Sequence, residues 1–346
     1  MTPTPHPAAR AEPDAGAARR PLGLVVLLLL LAVTVLASLA VGANEVSLAR
    51  VWRGFWAPDG SEASVIVWNL RVPRTVVGVA VGAALGVAGA VIQALTRNPL
   101  ADPGILGVNA GAGFAVTLGV GFFGLTGITG YVWCAFAGAA VATVLVHLIG
   151  SAARGTASPV TLVLAGVALG AVLGGLGTFL TLIDPETFRA IRDWGVGSVA
   201  RTDLDDTLAV APLLAVGLVI AFAVSGALNS IALGDDLAVS LGTRVVRARV
   251  LGVVAVTLLA GGATALAGGI AFVGLMVPHA VRWFVGPDQR WIVVHSALAG
   301  PVLVLAADVL GRVVGRPGEI EVGILTAVIG APVLIALVRR RKASGL

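Results

Sequence analysis

Long apolar runs separated by short polar segments dominate the hydrophobic pattern of this chain. Each run approaches the ~20 residues that an α-helix needs to cross a bilayer. The pattern predicts ten membrane-spanning helices, at about 21–42, 74–96, 104–124, 130–150, 159–183, 207–232, 248–267, 268–286, 291–314 and 322–338. The seventh and eighth runs meet at Gly268-Gly269 without a charged loop, so this division is the least marked. We therefore expect an all-α polytopic membrane protein.

Composition supports this class and excludes several functions. The 346 residues are 58% hydrophobic and 12% charged, with a mean hydropathy of +0.99, which a soluble domain could not bury. Lys342 is the only lysine, so the chain cannot carry a lysine-bearing phosphate loop for ATP. Carboxylates and histidines within the runs are too few for a proton relay, and no His/Cys cluster suggests a metal site. We expect no enzymatic activity and no cofactor bound by this chain.

Charge distribution predicts the orientation. Ten spans place both termini on one side, and the segments on that side hold an excess of basic over acidic residues. Both termini are therefore expected in the cytoplasm, and the basic balance reflects orientation rather than nucleic-acid binding. The predicted organisation is a disordered cytoplasmic tail at 1–20, a membrane domain at 21–341 with a cytoplasmic loop at 233–249, and a cytoplasmic tail at 342–346.

An ordered set of motifs runs through most of the chain. It begins with Arg71-Val-Pro-Arg74, the Gly/Ala-rich run 82–93 and the polar turn that opens 97–113. Further motifs lie at 164–170, 194–198, 227–230, 233–242, 274–282, 307–312 and 330–333. In this order they resemble the FecCD family, the permeases of iron–siderophore and vitamin B12 ABC importers. The amino-acid sequences of 96–113, 317–319 and 330–335 are most similar to those of permeases for ferric catecholates of the enterobactin type. Glu321 departs from the pattern, because many members have proline there.

The resemblance implies a type II ABC importer permease in the bacterial plasma or inner membrane. The implied partners are two copies of an ATPase subunit that binds ATP and Mg²⁺, a second permease and an external siderophore-binding protein. The second permease is expected to be a related chain in a heterodimer, or otherwise an identical one. The implied cargo is a ferric siderophore; vitamin B12, haem or another siderophore are alternatives within the family, and a secondary transporter lies outside it.

Two sets of site residues follow from the resemblance. Arg71, Arg74 and Arg312 are implied to accept carboxylates of the binding protein at the outer mouth, where bidentate pairing suits docking. Alternatively, the first two only anchor a span and Arg312 only pairs with Asp308, four residues earlier. The implied ATPase contact is a short cytoplasmic helix formed by Gly234, Asp235, Asp236, Leu237, Ala238, Leu241 and Gly242. An aspartate there can cap the helix and Gly242 can end it.

Polar and proline residues near the second, third and eighth spans have two readings. Gln93, Asn98 and Asn109 could line the translocation path, or satisfy backbone groups freed beside Pro99 and Pro103. The Gly/Ala face of the second span could likewise border a path or pack closely on other helices. Pro278 predicts a kink, and the adjacent His279 is expected to be a structural hydrogen-bonding residue.

Overall fold

The computed structural model describes residues 15–42, 46–57, 59–125, 127–152 and 159–343. Helices account for most of them, and their bounds are as follows: α1 Ala15–Ala40, α2 Leu48–Trp56, α3 Glu62–Val65, a π-helical turn Ile66–Arg71, α4 Val72–Thr96, a 3-10 turn Pro103–Leu106, α5 Val108–Phe123, α6 Gly127–Ala152, α7 Pro159–Ile183, α8 Pro185–Gly195, α9 Leu204–Ala232, α10 Asp235–Ser240, α11 Val245–Ala267, α12 Val273–Val285, α13 Gln289–Val314 and α14 Val322–Ala343.

The ten predicted spans correspond to α1, α4, α5, α6, α7, α9, α11, α12, α13 and α14. Among the described residues, seven helical segments are long and apolar enough to cross a membrane, and three shorter apolar helices complete the set. The predicted division between the seventh and eighth spans is confirmed, since α11 ends at Ala267 and α12 begins at Val273. The fold is therefore an all-α membrane bundle.

The ends of the chain differ slightly from the predicted boundaries. Helix α1 begins at Ala15, within the segment expected to be a tail, and α14 continues to Ala343. The remainder of the two predicted tails, 1–14 and 344–346, lies outside the described residues.

Helix α4 forms the centre of the bundle. In the most apolar 18 residues of the span Glu62–Thr96, which includes α4, 78% of the residues are buried. The corresponding shares are 6% for the span of α1 and 11% for that of α7, and both helices lie at the periphery. Glycines allow this central position: a Cβ atom on Gly82 would lie 2.5 Å from the backbone nitrogen of Pro301 in α13, and one on Gly86 equally close to the carbonyl oxygen of Ser296. Small residues thus let the backbones of α4 and α13 approach closely. The Gly face of α4 packs against helices here.

Apart from the short helix at 234–242, the helices outside the spans were not predicted individually. Helix α2 follows α1 and exposes Trp52 and Trp56. Its Phe55 ring stacks on Trp68 at 5.3 Å, and the Trp68 indole donates to the Gly54 carbonyl. Exposed aromatic side chains of this kind are typical of a membrane–water interface.

Candidate functional site

The short helix α10, which belongs to the loop expected on the cytoplasmic side, presents an apolar surface. Leu237, Val239 and Leu241 are more than half exposed, whereas Ala238 is completely buried. The helix ends as predicted: Gly242 is left-handed with φ 80°, its N–H donates to Val239 O, and the Thr243 N–H donates to Ala238 O. These two bonds form a Schellman motif. The predicted aspartate cap is wrong, because Gly234 is the N-cap residue and no side chain caps the helix.

Asp235 instead joins α10 to two other elements. Its carboxylate accepts hydrogen bonds from Arg249 in α11, at 2.9 and 3.0 Å, and from Arg97 after α4. The Arg97 Nε also donates to the Ile231 carbonyl at 2.8 Å, at the end of α9. Arg97 therefore ties the inner end of the central helix to the segment that carries α10.

The backbone of Arg97 is unusual for this role. Its φ is 50°, in the left-handed region that glycine normally occupies at a helix end. The Arg97 N–H donates to Ala94 O and the Asn98 N–H to Gln93 O, which is again a Schellman motif. The backbone at this position favours glycine, yet the arginine side chain makes the contacts with α9 and α10. These contacts indicate a functional reason for arginine at this position.

The polar turn 97–103 is held by its own side chains. Asn98 Oδ1 accepts from the Leu100 N–H at 3.0 Å, and Asp102 Oδ1 accepts from the Gly104 N–H at 2.9 Å. Burial raises the pKa of Asp102, while the Gly104 hydrogen bond acts in the opposite direction. Pro103 starts the 3-10 turn, and Pro99 follows Asn98 within the turn.

Gln93 and Asn109 face other helices. The Gln93 amide nitrogen lies 3.1 to 3.3 Å from the carbonyl oxygens of Ala101, Gly274 and Leu275, and its oxygen accepts from Arg282 at 2.8 Å. Proline at 278 removes the N–H that would bond the Gly274 carbonyl, so Gln93 satisfies a freed group.

The Asn109 side-chain oxygen accepts a hydrogen bond from the Thr264 hydroxyl in α11 at 2.9 Å. The contacts of Gln93 and Asn109 therefore favour a structural role for both residues over a role in lining the translocation path.

His279 is half-buried in α12, directly after Pro278. Its ring makes an edge contact with Trp283, with centroids 5.4 Å apart. Among the described residues, no group of three or more His, Cys, Asp and Glu side chains could hold a metal ion.

A second polar cluster lies at the opposite end of the bundle, which is expected to face the outside and is called the outer end below. Arg74 in α4 pairs with Asp308 in α13: its Nε and Nη2 donate to Oδ1 at 2.9 and 2.6 Å, and Nε also lies 3.1 Å from Oδ2. The Arg74 Nη1 donates to Glu319 at 2.6 Å. Arg312 donates to the other Asp308 oxygen at 2.7 Å, so the predicted pair of Asp308 and Arg312 is present. One buried carboxylate thus holds two arginines together.

These arginines also bind the outer end of α1. Arg312 donates to the carbonyls of Ser38 and Val41, at 2.9 and 2.6 Å, while Arg71 donates to those of Leu39 and Ala40. The last carbonyls of a helix have no partner within it and carry partial negative charge, which a guanidinium satisfies. As whole residues, all three arginines are at most 9% exposed.

Acidic residues at the rim surround this cluster. The Glu319 side chain is 34% exposed, compared with 10% for Arg74 and 1% for Asp308. Glu321, which stands where the family often has proline, pairs with Arg201 at 2.8 Å and so connects α14 to the segment before α9. Sequence reasoning missed these pairs because their partners lie more than a hundred residues apart.

Comparison with known proteins defines the class. An ABC transporter of the metal-chelate type, solved in an inward-facing conformation, superposes with a TM-score of 0.81 at 29% identity and covers 92% of this chain and 99% of its own. The fold is that of an ABC transporter permease. The FecCD transport family model matches residues 29–340, and the chain belongs to that family.

Two curated relatives are similar over almost the whole chain. The Escherichia coli ferric enterobactin transport system permease protein FepD is 47% identical over 95% of this chain and 98% of its own length. The Bacillus subtilis iron(3+)-hydroxamate import system permease protein FhuB is 38% identical over 93% of this chain and 85% of its own length.

Proposed function

We propose that this chain is the permease subunit of an ABC importer that moves a ferric siderophore of the catecholate type into the cytoplasm. The observation that carries the proposal is the 47% identity to the ferric enterobactin permease, which extends over 95% of the chain. Identity to the hydroxamate permease is lower, at 38%. The chain itself binds no cofactor in this proposal, because ATP and Mg²⁺ belong to the partner ATPase.

Energy enters through α10 in this proposal. A short helix whose apolar side chains are exposed can insert into a groove on a soluble partner. Leu237 and Leu241 would supply the contact with the ATPase subunit, while the buried Ala238 seats the helix on the bundle. The ion pairs of Asp235 with Arg97 and Arg249 would then transmit the position of α10 to α4 and α11.

Docking of a binding protein takes place at the outer arginines. Arg71, Arg74 and Arg312 already have internal partners, so docking must involve exchange of a partner rather than capture by a free cation. Glu319 is the partly exposed partner of Arg74, whereas Asp308 is buried. An incoming carboxylate would therefore replace Glu319 and leave the pair with Asp308 intact.

This exchange makes opposite predictions for two substitutions. Glu319→Gln removes the competing charge, and we expect binding-protein affinity to rise about threefold to tenfold, equivalent to roughly 1 kcal/mol. Arg74→Glu should abolish docking and uptake. Affinity would be measured by titrating the binding protein onto the importer in nanodiscs. Weaker binding by Glu319→Gln would contradict partner exchange, and unchanged uptake by Arg74→Glu would contradict docking.

The importer contains a second permease in this proposal, preferentially a related chain. Helix α7 supports this partner, because it is apolar, peripheral and only 11% buried in its spanning window. The translocation path would then lie between the two permeases. The hydrogen bonds of Gln93 and Asn109 are made within the single chain and argue against assigning the path to its interior.

Substrate class is tested by replacement in cells. Escherichia coli lacking its ferric enterobactin permease would receive this chain together with the partner subunits that naturally accompany this chain. Uptake would be compared among labelled ferric siderophores, haem and vitamin B12. We expect accumulation from ferric enterobactin and little from ferric hydroxamates, haem or vitamin B12. Uptake of only one of the other ligands would reassign the cargo within the family. No uptake of any of them, with the complex present in the membrane, would contradict the proposal.

A further inference from the structure

A groove runs along the seam between α6 and α11, near the cytoplasmic end of the bundle. Its volume is about 380 Å³, within the range of pockets that hold small ligands. The lining side chains are almost all apolar, including Phe136, Leu148 and Val254. The hydroxyls of Thr143 and Thr257 in its wall donate to carbonyls of their own helices. The groove therefore offers an apolar surface suited to a hydrocarbon chain.

A second, more open depression continues this groove toward the start of α11. Its volume is about 650 Å³ and it shares Val250 with the first. Its lining is mostly apolar, and Arg244 and Arg247 stand in it beside Val239 of α10. Arg247, Val250 and Val254 are spaced three and four residues apart, so they lie on one face of α11. Both arginines are exposed, and neither forms an ion pair among the described residues. Asp235, the nearby carboxylate, is occupied by Arg97 and Arg249.

The depth of these features matches the layers of a bilayer. Val250 lies five residues after the start of α11 and His147 five before the end of α6, each about 8 Å along the helix axis. The polar headgroup layer on each side of a bilayer is roughly 5–8 Å thick. With the ends of α6 and α11 at the membrane surface, Arg244 and Arg247 would lie at headgroup level and the apolar groove at the level of the acyl chains. The His147 ring lines the groove at the boundary, and its Nδ1 has no hydrogen-bond partner among the described residues.

We propose that this combined groove is a binding site for an anionic phospholipid of the cytoplasmic leaflet. Its headgroup binds Arg244 and Arg247, and one acyl chain occupies the seam between α6 and α11. Basic pockets between spanning helices on the cytoplasmic side are suited to anionic headgroups, and the apolar seam supplies the complementary chain contact. The bound lipid would connect α11, which follows the α10 loop, to α6.

The test uses the full chain in nanodiscs of equal parts phosphatidylglycerol and phosphatidylcholine. Spin-labelled versions of each lipid report the fraction that the protein immobilises. We expect more phosphatidylglycerol than phosphatidylcholine to be immobilised, with the excess lost when Arg244 and Arg247 are both replaced by Gln. Val254→Phe should also reduce it by filling the groove while both arginines remain. Arg290→Gln, which removes another cytoplasmic charge, and Val219→Phe, which enlarges an exposed residue of α9, are the matched controls.

Three results would overturn the proposal. One is equal immobilisation of the two lipids by the unaltered chain, and another is an equal loss of the excess in Arg290→Gln, which would indicate a general charge effect. The third is loss of ATPase association in the double variant with unchanged lipid preference. That result would assign the two arginines to a protein partner instead.

Discussion

At the level of single residues, Arg97 combines an unfavourable left-handed backbone conformation with side-chain contacts to two other segments. A non-glycine residue in the left-handed region costs roughly 1–2 kcal/mol. The exposed ion pair with Asp235 contributes only about 0–1 kcal/mol. Stability therefore does not account for arginine here, since glycine would serve the helix end at least as well. The contacts with Ile231 and Asp235 supply the better reason, because they connect α4 to the segment that carries α10.

Replacement of Arg97 by glycine should separate stability from coupling. Arg97→Gly relieves the backbone and removes the connection, so we expect a nearly unchanged unfolding temperature and at least a tenfold fall in ATP-driven uptake. Both would be measured on the reconstituted importer, with ATP hydrolysis recorded in parallel. Asp235→Asn, which weakens the same connection from the other side, should also lower uptake. Full uptake by both variants would show that the connection carries no coupling.

Gln93 illustrates a polar residue that serves the backbone. Gln93→Leu leaves the carbonyls of Ala101, Gly274 and Leu275 without its amide, and one unsatisfied buried group costs about 1–3 kcal/mol. Pro278→Ala restores an N–H that can bond the Gly274 carbonyl. We therefore expect the double variant to lose less stability than the sum of the single losses, measured by thermal unfolding in detergent. Strict additivity would contradict the assigned role of Gln93.

At the scale of elements, the sequence predicts spans better than it predicts the helices between them. Runs of about 20 apolar residues identify the spans because the bilayer sets their length. The break between α11 and α12 was also readable, from Gly268-Gly269 and the length of the run. Helices α2 and α8 lack such a constraint, and the contacts that hold them depend on tertiary neighbours. The outer cluster was only half predictable, because Asp308 and Arg312 are four residues apart while Arg74 and Glu319 are distant in sequence.

Helix α10 is the element on which coupling depends in this account. Leu237→Asp places a charge on its exposed apolar face without disturbing the buried Ala238, so the permease should fold normally. We expect the variant to lose the ATPase subunit during affinity purification. Leu237→Met, which keeps an apolar side chain of similar volume, is the matched control and should retain it. Retention of the ATPase by Leu237→Asp at the level of the control would exclude this face as the contact.

At the scale of the whole molecule, polar clusters lie at the two ends of the apolar bundle. The outer one joins α1, α4 and α13 through Arg71, Arg74 and Arg312, and the inner one joins α4, α9, α10 and α11 through Arg97 and Asp235. Helix α4 contributes to both clusters, and its span has the largest buried share of residues among the seven long spans of the described residues. In the proposed function, a movement imposed at α10 would reach the outer mouth through this one packed helix. This arrangement suits a permease whose energy source and cargo donor bind on opposite sides of the membrane.

In the proposed function, transport through this chain is driven by a separate ATPase. The most direct test is uptake of ferric enterobactin by proteoliposomes that contain the complete importer, with ATP enclosed, in the presence of the binding protein. We predict accumulation that requires ATP and persists when the proton gradient is dissipated. Uptake driven by a proton gradient in vesicles that lack the ATPase would contradict the account and indicate a secondary transporter.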